Sequence, residues 1–392
     1  MRINTAPMGW NSWNTFGANI SDELIRETAR MMKEQGYQEK GYEYIVIDDC
    51  WSLKERDENG RLVPDPEKFP HGMKALSDYL HSLGFKFGMY SCAGVRTCAG
   101  YPSSYDHEFV DAQTFAEWGV DYLKYDFCNF PNSADCKQRY ATMSMALKAS
   151  GRDILFSACN WGQQEPWQWM KSLGVHMYRS TGDIFDNFKS FTDIFKSQLD
   201  KFCMSGQDCF NDIDMLTVGM YGKGNVAVGK ACTDADYRTQ FTLWCMMSAP
   251  LMLGADIRNL NDFCKSLVLN DNLIRINQDP ECRPPFVAYR GRVINSGWDE
   301  EDQSWWREYQ DCGFTLFKHL SDNEFAIGYF NFAPKDGEVP FTFADVGLPY
   351  GSNVKFAFTD AITGEDLGQH RDYYNLIVPA HDCRIILAKM VK

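Results

Sequence analysis

Short apolar runs alternate with amphipathic stretches over the first two-thirds of the chain. Ser21 is placed as the N-cap of one amphipathic stretch with an acidic first turn, and Gly36 follows its end. The run YEYIVIDD at 42–49 comes next and is typical of a buried strand. Because glycine readily adopts the left-handed conformation that ends a helix, such a glycine predicts a turn into the next strand. The same order of helix, glycine and strand recurs at Gly84, Gly119, Gly151 and Gly174.

Eight strand candidates can be counted in this region, each followed by a helix or a helix-like segment. They lie at 7–13, 42–49, 85–91, 120–126, 152–160, 175–180, 209–215 and 249–256. Helical patterns around 234–246 and 260–269 follow the last two. Repeated βα units of this number predict an α/β fold, a parallel sheet closed into a (β/α)8 barrel of the TIM type. An open doubly wound sheet is the alternative, but it would need a glycine-rich phosphate loop after the first strand, and the sequence has none there.

The pattern changes near residue 283, where CRPPF interrupts the alternation of strands and helices. The later runs FTLFKHL, EFAIGYFNF, VKFAFTDAITG and CRIILAKMV are typical of strands, and no convincing helix lies between them. We therefore divide the chain into a catalytic barrel at 1–284 and a C-terminal antiparallel β domain, a β-sandwich, at 285–392. The acidic and aromatic segment 298–310 is predicted to be an exposed loop or hairpin.

Composition excludes several classes of protein. Apolar residues make up 44% and charged residues 23% of the 392 residues, which is ordinary globular usage. A formal net charge of -14 disfavours nucleic acid and anionic membranes as partners. Fourteen cysteines are too few for a disulfide scaffold, and their spacing lacks a zinc pattern. Without a signal-peptide pattern or a run of 18 apolar residues, a cytoplasmic location is expected. A leader that had been removed would leave the same sequence, so this alternative stays open.

Polar side chains stand at the predicted carboxyl ends of the strands, where barrel enzymes place their chemistry. One carboxylate there can be the N-cap of the next helix, but a ring of carboxylates is harder to attribute to capping. These residues are Asp48, Asp49, Lys124, Asp126, Asn160, Arg179, Asp183, Asp212, Asp214 and Asp256. Lys124 and Asp126 are two positions apart, so in a strand they face the same way, and so do Asp212 and Asp214.

Three chemistries use such a ring of carboxylates. A metal hydrolase would usually show histidine ligands, but the seven histidines lie mostly in loops and helices or beyond the barrel. An enolase-type site would need magnesium and a base, for which Lys124 is available. Glycoside hydrolysis needs two carboxyl groups among polar and aromatic side chains, and the nearby Trp13, Tyr90 and Trp161 favour it. Trp10 is predicted to belong to the core.

The residues also resemble a known family. The strings that carry the resemblance are GWNSWNTFG, YIVIDDCW, LKYDFCN, the WG at 161–162, YRSTGDI, FNDIDM, YRTQFTLW, SAPLMLGADIRN and INQDP. They are similar to glycoside hydrolase family 27, which contains alpha-galactosidases and alpha-N-acetylgalactosaminidases. The match runs in order from Met8 to about Pro280, and the following β domain also fits the architecture of the family.

The resemblance implies a role for individual residues. Asp126 matches the nucleophile of the family and Asp183 its acid/base, whereas Asp48 and Asp49 match the pair that holds the 4- and 6-hydroxyls of the sugar. Other matches are expected to line the pocket or hold further hydroxyls, namely Trp13, Tyr90, Lys124, Asn160, Trp161, Arg179 and Asp214. Cys98 and Cys128 match a pair that is bridged at the pocket rim in relatives, and two free thiols are the alternative. Asp212 and Asp256 are expected to be structural.

These roles imply a retaining exo-glycosidase that releases terminal alpha-D-galactosyl residues by double displacement, with no cofactor and no metal. Lys124 on the same strand face should favour ionised Asp126, and the negative charge of Asp126 should help Asp183 hold its proton. Retaining chemistry predicts the two carboxyl groups about 5–5.5 Å apart. The expected partner is a small carbohydrate, and a homodimer stays open.

One departure from the family pattern concerns the 2-position of the sugar. Family galactosidases commonly have Glu in a CEW string, but this chain has Cys159, Asn160 and Trp161. Asn160 can donate and accept hydrogen bonds to a 2-hydroxyl, so galactose is the first expectation. Alpha-N-acetylgalactosamine and beta-L-arabinopyranose remain alternative substrates, although arabinopyranose would be expected to alter the Asp48–Asp49 pair. A non-catalytic carbohydrate-binding protein is less consistent with two catalytic carboxylates.

Overall fold

The computed structural model describes residues 2–391, except for the side chains of 292–296 and 306–309. Within this range, eight short parallel strands form the first sheet, and each begins inside a predicted segment. They are β1 (Met8–Asn11), β2 (Tyr44–Val46), β3 (Lys86–Cys92), β4 (Tyr122–Asp126), β5 (Leu155–Ala158), β6 (Met177–Arg179), β7 (Phe210–Asp212) and β8 (Leu251–Leu253).

Helices follow these strands on the outside of the sheet. They are α1 (Trp13–Phe16), α2 (Asp22–Glu34), α3 (Gly72–Ser82), α4 (Glu108–Trp118), α5 (Cys136–Ala149), α6 (Phe188–Lys196), α7 (Asp234–Met246), α8 (Asp262–Val268) and α9 (Asp271–Asn277). The predicted Ser21 cap is confirmed, since its side chain accepts a hydrogen bond from Leu24 N. Gly119 ends α4 in the left-handed conformation with φ 80°, which returns the chain to the sheet.

The sheet closes into a barrel. Its strand order runs from β7 through β6, β5, β4, β3, β2 and β1 to β8. A parallel bridge between Leu216, just after β7, and Leu253 in β8 joins the two ends. Two hydrogen bonds support the bridge, from Leu216 N to Met252 O at 2.8 Å and from Gly254 N to Leu216 O at 3.0 Å. The predicted (β/α)8 barrel is therefore confirmed, and the doubly wound alternative is wrong.

Side chains alternate between two cores as the strand pleat requires. Leu123 and Tyr125 of β4 are buried in the layer between the strands and the surrounding helices. Trp10 is fully buried in the same layer, as predicted, and its Nε1 donates to Ala255 O. Tyr122 belongs to a smaller core that is enclosed by the barrel itself. Lys124 and Asp126 continue on the inner face of β4, so the strand delivers both groups to the barrel mouth.

The C-terminal part of the chain is all β in its described strands. These are β9 (Phe286–Asp299), β10 (Ser304–His319), β11 (Glu324–Asn331), β12 (Gly337–Val339), β13 (Lys355–Asp360), β14 (Asp366–His370), β15 (Leu376–Val378) and β16 (Cys383–Val391). Six of them form an antiparallel sheet in the order β14, β13, β16, β11, β10, β9, while β12 and β15 form a second sheet. Side chains of both sheets share one hydrophobic core, so the predicted β-sandwich is confirmed.

The segment 298–310 forms the end of the hairpin between β9 and β10. Trp298 is 46% exposed and Trp305 is 70% exposed, as expected for an exposed hairpin, whereas side chains 306–309 lie outside the described residues. The predicted boundary at 284/285 falls between the end of α9 and the start of β9, and it stays a prediction.

Two buried polar contacts join the β domain to the barrel. Lys318 of β10 is fully buried, and its Nζ donates to Ile276 O at 2.8 Å beside the C-terminus of α9. The guanidinium of Arg238 in α7 binds both oxygens of Asp382, at 2.8 and 3.0 Å. A charge removed from water needs such partners, so these contacts fix the orientation of the β domain on α7 and α9. In the described part of the chain, helices are too short or too polar to cross a membrane.

Candidate active site

A cavity of about 370 Å³ opens at the carboxyl ends of the barrel strands. Most of the residues predicted for the site line it together, which the alternation along each strand explains. They are Trp13, Asp48, Asp49, Tyr90, Cys98, Lys124, Asp126, Cys128, Trp161, Arg179, Asp183 and Asp214. Residues from seven different strands or their following loops thus meet in one place, as in other barrel enzymes.

Asp48 and Asp49 follow β2 and are each 2% exposed. Asp48 Oδ2 accepts hydrogen bonds from Lys124 Nζ at 2.9 Å and from Asn11 Nδ2 at 2.8 Å. Asp49 binds the backbone instead, through Cys50 N at 2.7 Å and Ala99 N at 2.9 Å. Burial raises the pKa of Asp49, and these backbone hydrogen bonds oppose the rise. Both carboxylates are therefore rigidly held with part of their acceptor capacity directed at the cavity.

Lys124 is the cation in this part of the cavity. Burial alone would lower its pKa, but the negative charges of Asp48 and Asp126, with Cys159, outweigh burial and raise it well above its ordinary value. Its Nζ also lies 5.4 Å from the centre of the Tyr90 ring, within the range of a cation–π contact. Lys124 therefore remains protonated, which rules out the free base that an enolase-type reaction would take from it.

Asp126 ends β4 and is 5% exposed. Its Oδ1 accepts a hydrogen bond from Phe127 N at 2.8 Å. Burial raises the pKa of the Asp126 carboxyl, while Lys124 and the Phe127 hydrogen bond lower it. The predicted effect of Lys124 thus has the right direction, but it does not outweigh burial. The expectation that Lys124 favours the ionised form of Asp126 is therefore confirmed in direction, and burial is the larger, opposing effect.

The rim of the cavity beside Asp126 is a disulfide. Cys98 and Cys128 are bridged, with their Cα atoms 5.0 Å apart, so the alternative of two free thiols is wrong. Their sulfur atoms and an oxygen of Asp126 lie within 4.8 Å of one another. Because both sulfurs are used in the bridge, this group offers no thiolate to a metal ion. Tyr90 Oη donates to Cys98 Sγ at 3.4 Å, which ties the rim to β3.

Asp183 lies in the loop after β6, and its side chain is 69% exposed. Its Oδ1 accepts a hydrogen bond from Arg179 Nη2 at 2.8 Å. The same guanidinium forms an ion pair with Asp214 at 2.6 Å, and Asp214 Oδ2 accepts from Ile184 N at 2.7 Å. Arg179 therefore connects the strand end to the loop that carries Asp183. The expectation that Asp183 keeps its proton through the charge of Asp126 stays a prediction, and so does the 5–5.5 Å separation of the two carboxyl groups.

Asp212 and Asp214 form the floor of the site but do not share one position. Asp212 lies in β7 and lines a small space beneath the cavity, whereas Asp214 has φ 80° and lines the cavity itself. Asp214 N donates to Asp212 Oδ1 at 2.9 Å, in line with the structural role expected of Asp212. Burial, with the charges of Asp183 and Asp212, raises the pKa of Asp214 to about 6.

Asn160 is not placed where the sequence predicted it. Its side chain is fully buried away from the cavity, and its Nδ2 donates to Gln163 O at 2.5 Å. β5 ends at Ala158, so the two-residue alternation no longer applies, and Trp161 has φ 55°. Cys159 and Trp161 line the cavity instead. Asn160 as a ligand of the 2-hydroxyl is therefore a wrong prediction, and Cys159 is the residue next to Trp161 that faces the cavity.

Several lining residues were missed by the sequence analysis. They are Asn14, Cys159, Ile184, Phe185, Met215, Asn225 and Val226. Cys159 and Ile184 stood inside recognisable strings, but nothing in the sequence places the segment of Asn225 near β1. In the structure Asn225 N donates to Asn14 O at 2.6 Å, which brings that distant loop to the cavity. Asp256, expected to be structural, caps the turn at Ile257–Asn259 and binds Arg258.

Two carboxylates, a protonated lysine and aromatic walls at the mouth of a (β/α)8 barrel are the features of a glycoside hydrolase. Comparison with known proteins agrees. The family profile described as Alpha galactosidase A matches residues 5–279, and that described as Alpha galactosidase C-terminal beta sandwich domain matches 315–388. The chain therefore belongs to the alpha-galactosidase family, glycoside hydrolase family 27, as the resemblance of its motifs predicted.

Individual relatives cover most of the chain. An alpha-galactosidase of Cyamopsis tetragonoloba is 41% identical over 351 residues, which is 89% of this chain and 78% of the relative. An alpha-galactosidase of Coffea arabica is 38% identical over 388 residues, 97% of this chain and 93% of the relative. Among solved structures, alpha-galactosidase I from Mortierella vinacea matches with a TM-score of 0.87 and 30% identity over 98% of this chain and 97% of that one.

Proposed function

We propose that the protein is a retaining exo-glycosidase that hydrolyses terminal alpha-D-galactosyl residues of oligosaccharides or glycoconjugates. The observation that carries the proposal is the single cavity lined by both Asp126 and Asp183. The cavity lies at the mouth of the barrel, above the small space lined by Asp212, and its volume of about 370 Å³ suits one terminal sugar rather than the middle of a polymer. Membership of the family and the curated relatives support the choice of galactose.

In the first step Asp126 attacks the anomeric carbon of the bound galactosyl unit. The bond from that carbon to the leaving oxygen breaks, its electron pair stays on the oxygen, and Asp183 supplies the proton. A galactosyl ester of Asp126 is the intermediate. The position of Asp126 suits this role, because a backbone hydrogen bond from Phe127 and the charge of Lys124 stabilise its ionised form against burial.

In the second step Asp183, now ionised, accepts a proton from a water molecule. The oxygen of that water attacks the anomeric carbon and displaces the carboxylate of Asp126. Two inversions give galactose with its alpha configuration retained. Arg179 holds Asp183 at 2.8 Å and is itself buried, so the acid/base is tied to β6 although its loop is exposed.

Polar groups around the cavity match the hydroxyls of a neutral sugar. We assign the 4- and 6-hydroxyls to Asp48 and Asp49, whose carboxylates are fixed by Lys124 and by backbone N–H groups. The 2-position then faces Cys159 and Trp161 rather than Asn160. Alpha-N-acetylgalactosamine and beta-L-arabinopyranose are the competing sugars, and hydrolysis of an aryl-glycoside panel distinguishes the three. A preference for either competitor would overturn the substrate but not the reaction class.

The test of the reaction is the Asp126→Asn variant with an aryl alpha-galactoside. Turnover should fall to background while the circular dichroism spectrum and melting temperature remain close to those of the wild type. The exposed Asp78, which forms an ion pair with Lys74, supplies a matched control in Asp78→Asn, which should keep full activity. Activity of Asp126→Asn near that of the control would overturn the nucleophile assignment. Loss of wild-type activity on treatment with EDTA would contradict a metal-free glycosidase.

The location of the protein forms part of the same proposal. An acidic chain with a formal net charge of -14 fits a cytoplasmic location. The Cys98–Cys128 bridge is more typical of an oxidising compartment, whereas free cysteines such as Cys92 and Cys159 are typical of a reducing one. Alkylation of the protein in fresh cell lysate, followed by peptide mass analysis, would decide whether the bridge exists where the protein works.

A further inference from the structure

A second depression lies directly beside the catalytic cavity. It has a volume of about 540 Å³ and is an open groove between the loop after β6 and helix α6. It is lined by Ser180, Thr181, Gly182, Asp183, Phe185, Asn187, Lys189, Ser190, Asp193, Ile194 and Ser197. Two residues, Asp183 and Phe185, line both the groove and the cavity. The acid/base therefore stands at the boundary between two spaces.

Phe185 is an aromatic side chain that the fold leaves uncovered. It is 40% exposed, although burial of such a ring would stabilise the protein. Its backbone is nevertheless fixed, because Phe185 N donates to Ser190 Oγ at 2.9 Å and the preceding Ile184 N donates to Asp214 at 2.7 Å. The ring is thus held at a defined position next to Asp183 rather than left on a free loop.

Asp186 anchors the same segment from the other side. Its carboxylate is fully buried and accepts hydrogen bonds from Gly222 N at 2.6 Å and from Tyr237 Oη at 3.0 Å. Asp186 N in turn donates to Val226 O at 3.0 Å. Three consecutive residues, 184–186, are therefore each bound to a different part of the barrel. Such a segment can carry a rigid binding surface.

We propose that this groove is the leaving-group subsite and that Phe185 is its stacking surface for a neutral sugar unit. The inference rests on the proposed function and extends it. An acid that protonates the leaving oxygen must touch that oxygen, so the leaving group passes beside Asp183 as it extends out of the catalytic cavity. The groove occupies a space that borders Asp183 outside the catalytic cavity.

The lining of the groove indicates what it binds. One exposed aromatic face and several small hydroxyl and amide side chains suit a sugar, whose rings offer both C–H faces and hydroxyls. The lining carries three charged side chains, and each has an ion-pair partner: Lys189 pairs with Asp193, and Asp183 pairs with Arg179. The surface therefore favours neither anions nor cations. The groove is open to solvent and adjoins the catalytic cavity at Asp183 and Phe185. It therefore leaves room for a further sugar unit, and we expect galactosyl oligosaccharides to be preferred over galactosides of small alcohols.

A comparison of three substrates on the Phe185→Ala variant tests the proposal. Alpha-galactosyl fluoride has a leaving group too small to reach the groove. A 2,4-dinitrophenyl galactoside fills the groove but needs no acid, whereas a galactosyl disaccharide fills it and needs the acid. Loss of stacking should lower kcat/KM for both bulky substrates by about 3- to 10-fold more than for the fluoride. A matched control is Phe109→Ala, which removes another exposed ring, on α4, and should change none of the three.

A second variant fills the groove instead of emptying it. A Cβ at Gly182 would meet nothing within 4 Å, so Gly182→Leu should project into the groove without a clash. It should reduce kcat/KM for the bulky substrates at least 10-fold relative to the fluoride.

Other outcomes would contradict either the subsite or the proposed function, and the two cases can be distinguished. Equal losses on all three substrates, or a loss confined to the disaccharide, would overturn the subsite, since the change would then lie in the catalytic cavity or in the acid. A wild-type protein that hydrolyses none of the three would instead contradict the proposed function.

Discussion

Asp126 and Asp183 line one cavity, but the fold holds them in opposite ways. Asp126 ends a strand, is 5% exposed and lies beside the Cys98–Cys128 disulfide at the rim of the cavity. Asp183 lies in a loop, has a side chain that is 69% exposed and depends on Arg179 for its position. The nucleophile that we propose at Asp126 must approach one carbon atom from a fixed direction, so a strand end suits it. The acid/base that we propose at Asp183 must serve first the leaving group and then water, so a site at the boundary with solvent suits it.

The comparison shows what controls the pKa of Asp126 and what controls the position of Asp183. Burial governs the Asp126 carboxyl, and neighbouring charges only moderate that effect. Contacts of the loop govern Asp183, namely the Arg179 guanidinium and the anchors at Ile184 and Asp186. Loss of a charge partner in the strand region, such as Lys124, should therefore alter chemistry and stability together, whereas changes in the loop region should alter chemistry with little effect on the global fold.

The largest effect is expected for Asp126→Ala. Loss of the nucleophile should lower kcat by on the order of 10⁴-fold or more on every substrate. Added azide can occupy the vacated space and attack the anomeric carbon from that side, so the rescued product should be beta-galactosyl azide. Chromatography and NMR of the product check this. Formation of the alpha azide would place the nucleophile elsewhere.

Asp183→Ala should have a smaller effect that depends on the leaving group. Loss of general acid–base catalysis typically costs about 10²- to 10⁴-fold, and the larger values should occur with poor leaving groups such as sugars. Azide should here attack the galactosyl ester of Asp126 and yield alpha-galactosyl azide. Steady-state kinetics with a series of aryl galactosides measures the dependence, and a uniform loss across the series would contradict the acid role.

Lys124→Met tests the strand region, because it removes the cation beside Asp48 and Asp126. It leaves the buried carboxylate of Asp48 without its cation, which should cost about 3–5 kcal/mol of unfolding free energy. The acidic limb of the kcat/KM–pH profile should also move to higher pH, because Lys124 lowers the pKa of Asp126. Denaturant unfolding and pH profiles measure both. Lys74→Met breaks an exposed ion pair and should cost no more than about 1 kcal/mol.

Asp186→Asn tests the loop region, because Asp186 anchors the segment 184–186 that follows Asp183. One amide N–H would face the Gly222 N–H or the Tyr237 hydroxyl, so the anchor should weaken by about 1–3 kcal/mol. We expect kcat for a galactosyl disaccharide to fall about 10-fold as Asp183 loses its position, while the covalent labelling rate of Asp126 by an activated galactosyl fluoride falls much less. Equal losses in both measurements would show that the two regions are not independent.

The smallest expected effect concerns the dependence of stability on pH. Burial raises the pKa of Asp214 to about 6, so the folded chain binds this proton more tightly than the unfolded chain does. The contribution of Asp214 to the free energy of unfolding should therefore decrease by on the order of 1 kcal/mol as pH rises from about 4 through 6. Denaturant unfolding across this range should show a flatter profile for Asp214→Asn. An unchanged slope would contradict the raised pKa.

The two regions also differ in how far the sequence predicts them. Strand alternation places Lys124 and Asp126 correctly, because a two-residue period holds as long as the chain stays in β4. The same reasoning fails at Asn160, since β5 has already ended at Ala158 and the backbone turns at Trp161. Strand alternation cannot predict contacts between loops. The hydrogen bond from Asn225 N to Asn14 O joins segments about two hundred residues apart, and no local sequence pattern predicts it.

Resemblance to the family motifs predicts more of the site than strand alternation does, because the motifs include positions whose role is known only from folded relatives. The Cys98–Cys128 bridge and the acid/base role of Asp183 were predicted from this resemblance. The structure places these residues at the cavity. The groove beside Phe185 was invisible to both kinds of reasoning. It exists only because the loop after β6 and helix α6 stand apart, and that spacing depends on packing rather than on any residue pattern.

The central claim is that Asp126 becomes covalently bonded to the sugar. Incubation with a fluorinated alpha-galactosyl fluoride, which forms the intermediate faster than water removes it, should increase the mass of the protein by one fluorogalactosyl group. Peptide mapping should then locate that group on Asp126. An adduct on another residue, or no adduct together with beta-galactose as the first product of an ordinary substrate, would contradict the account.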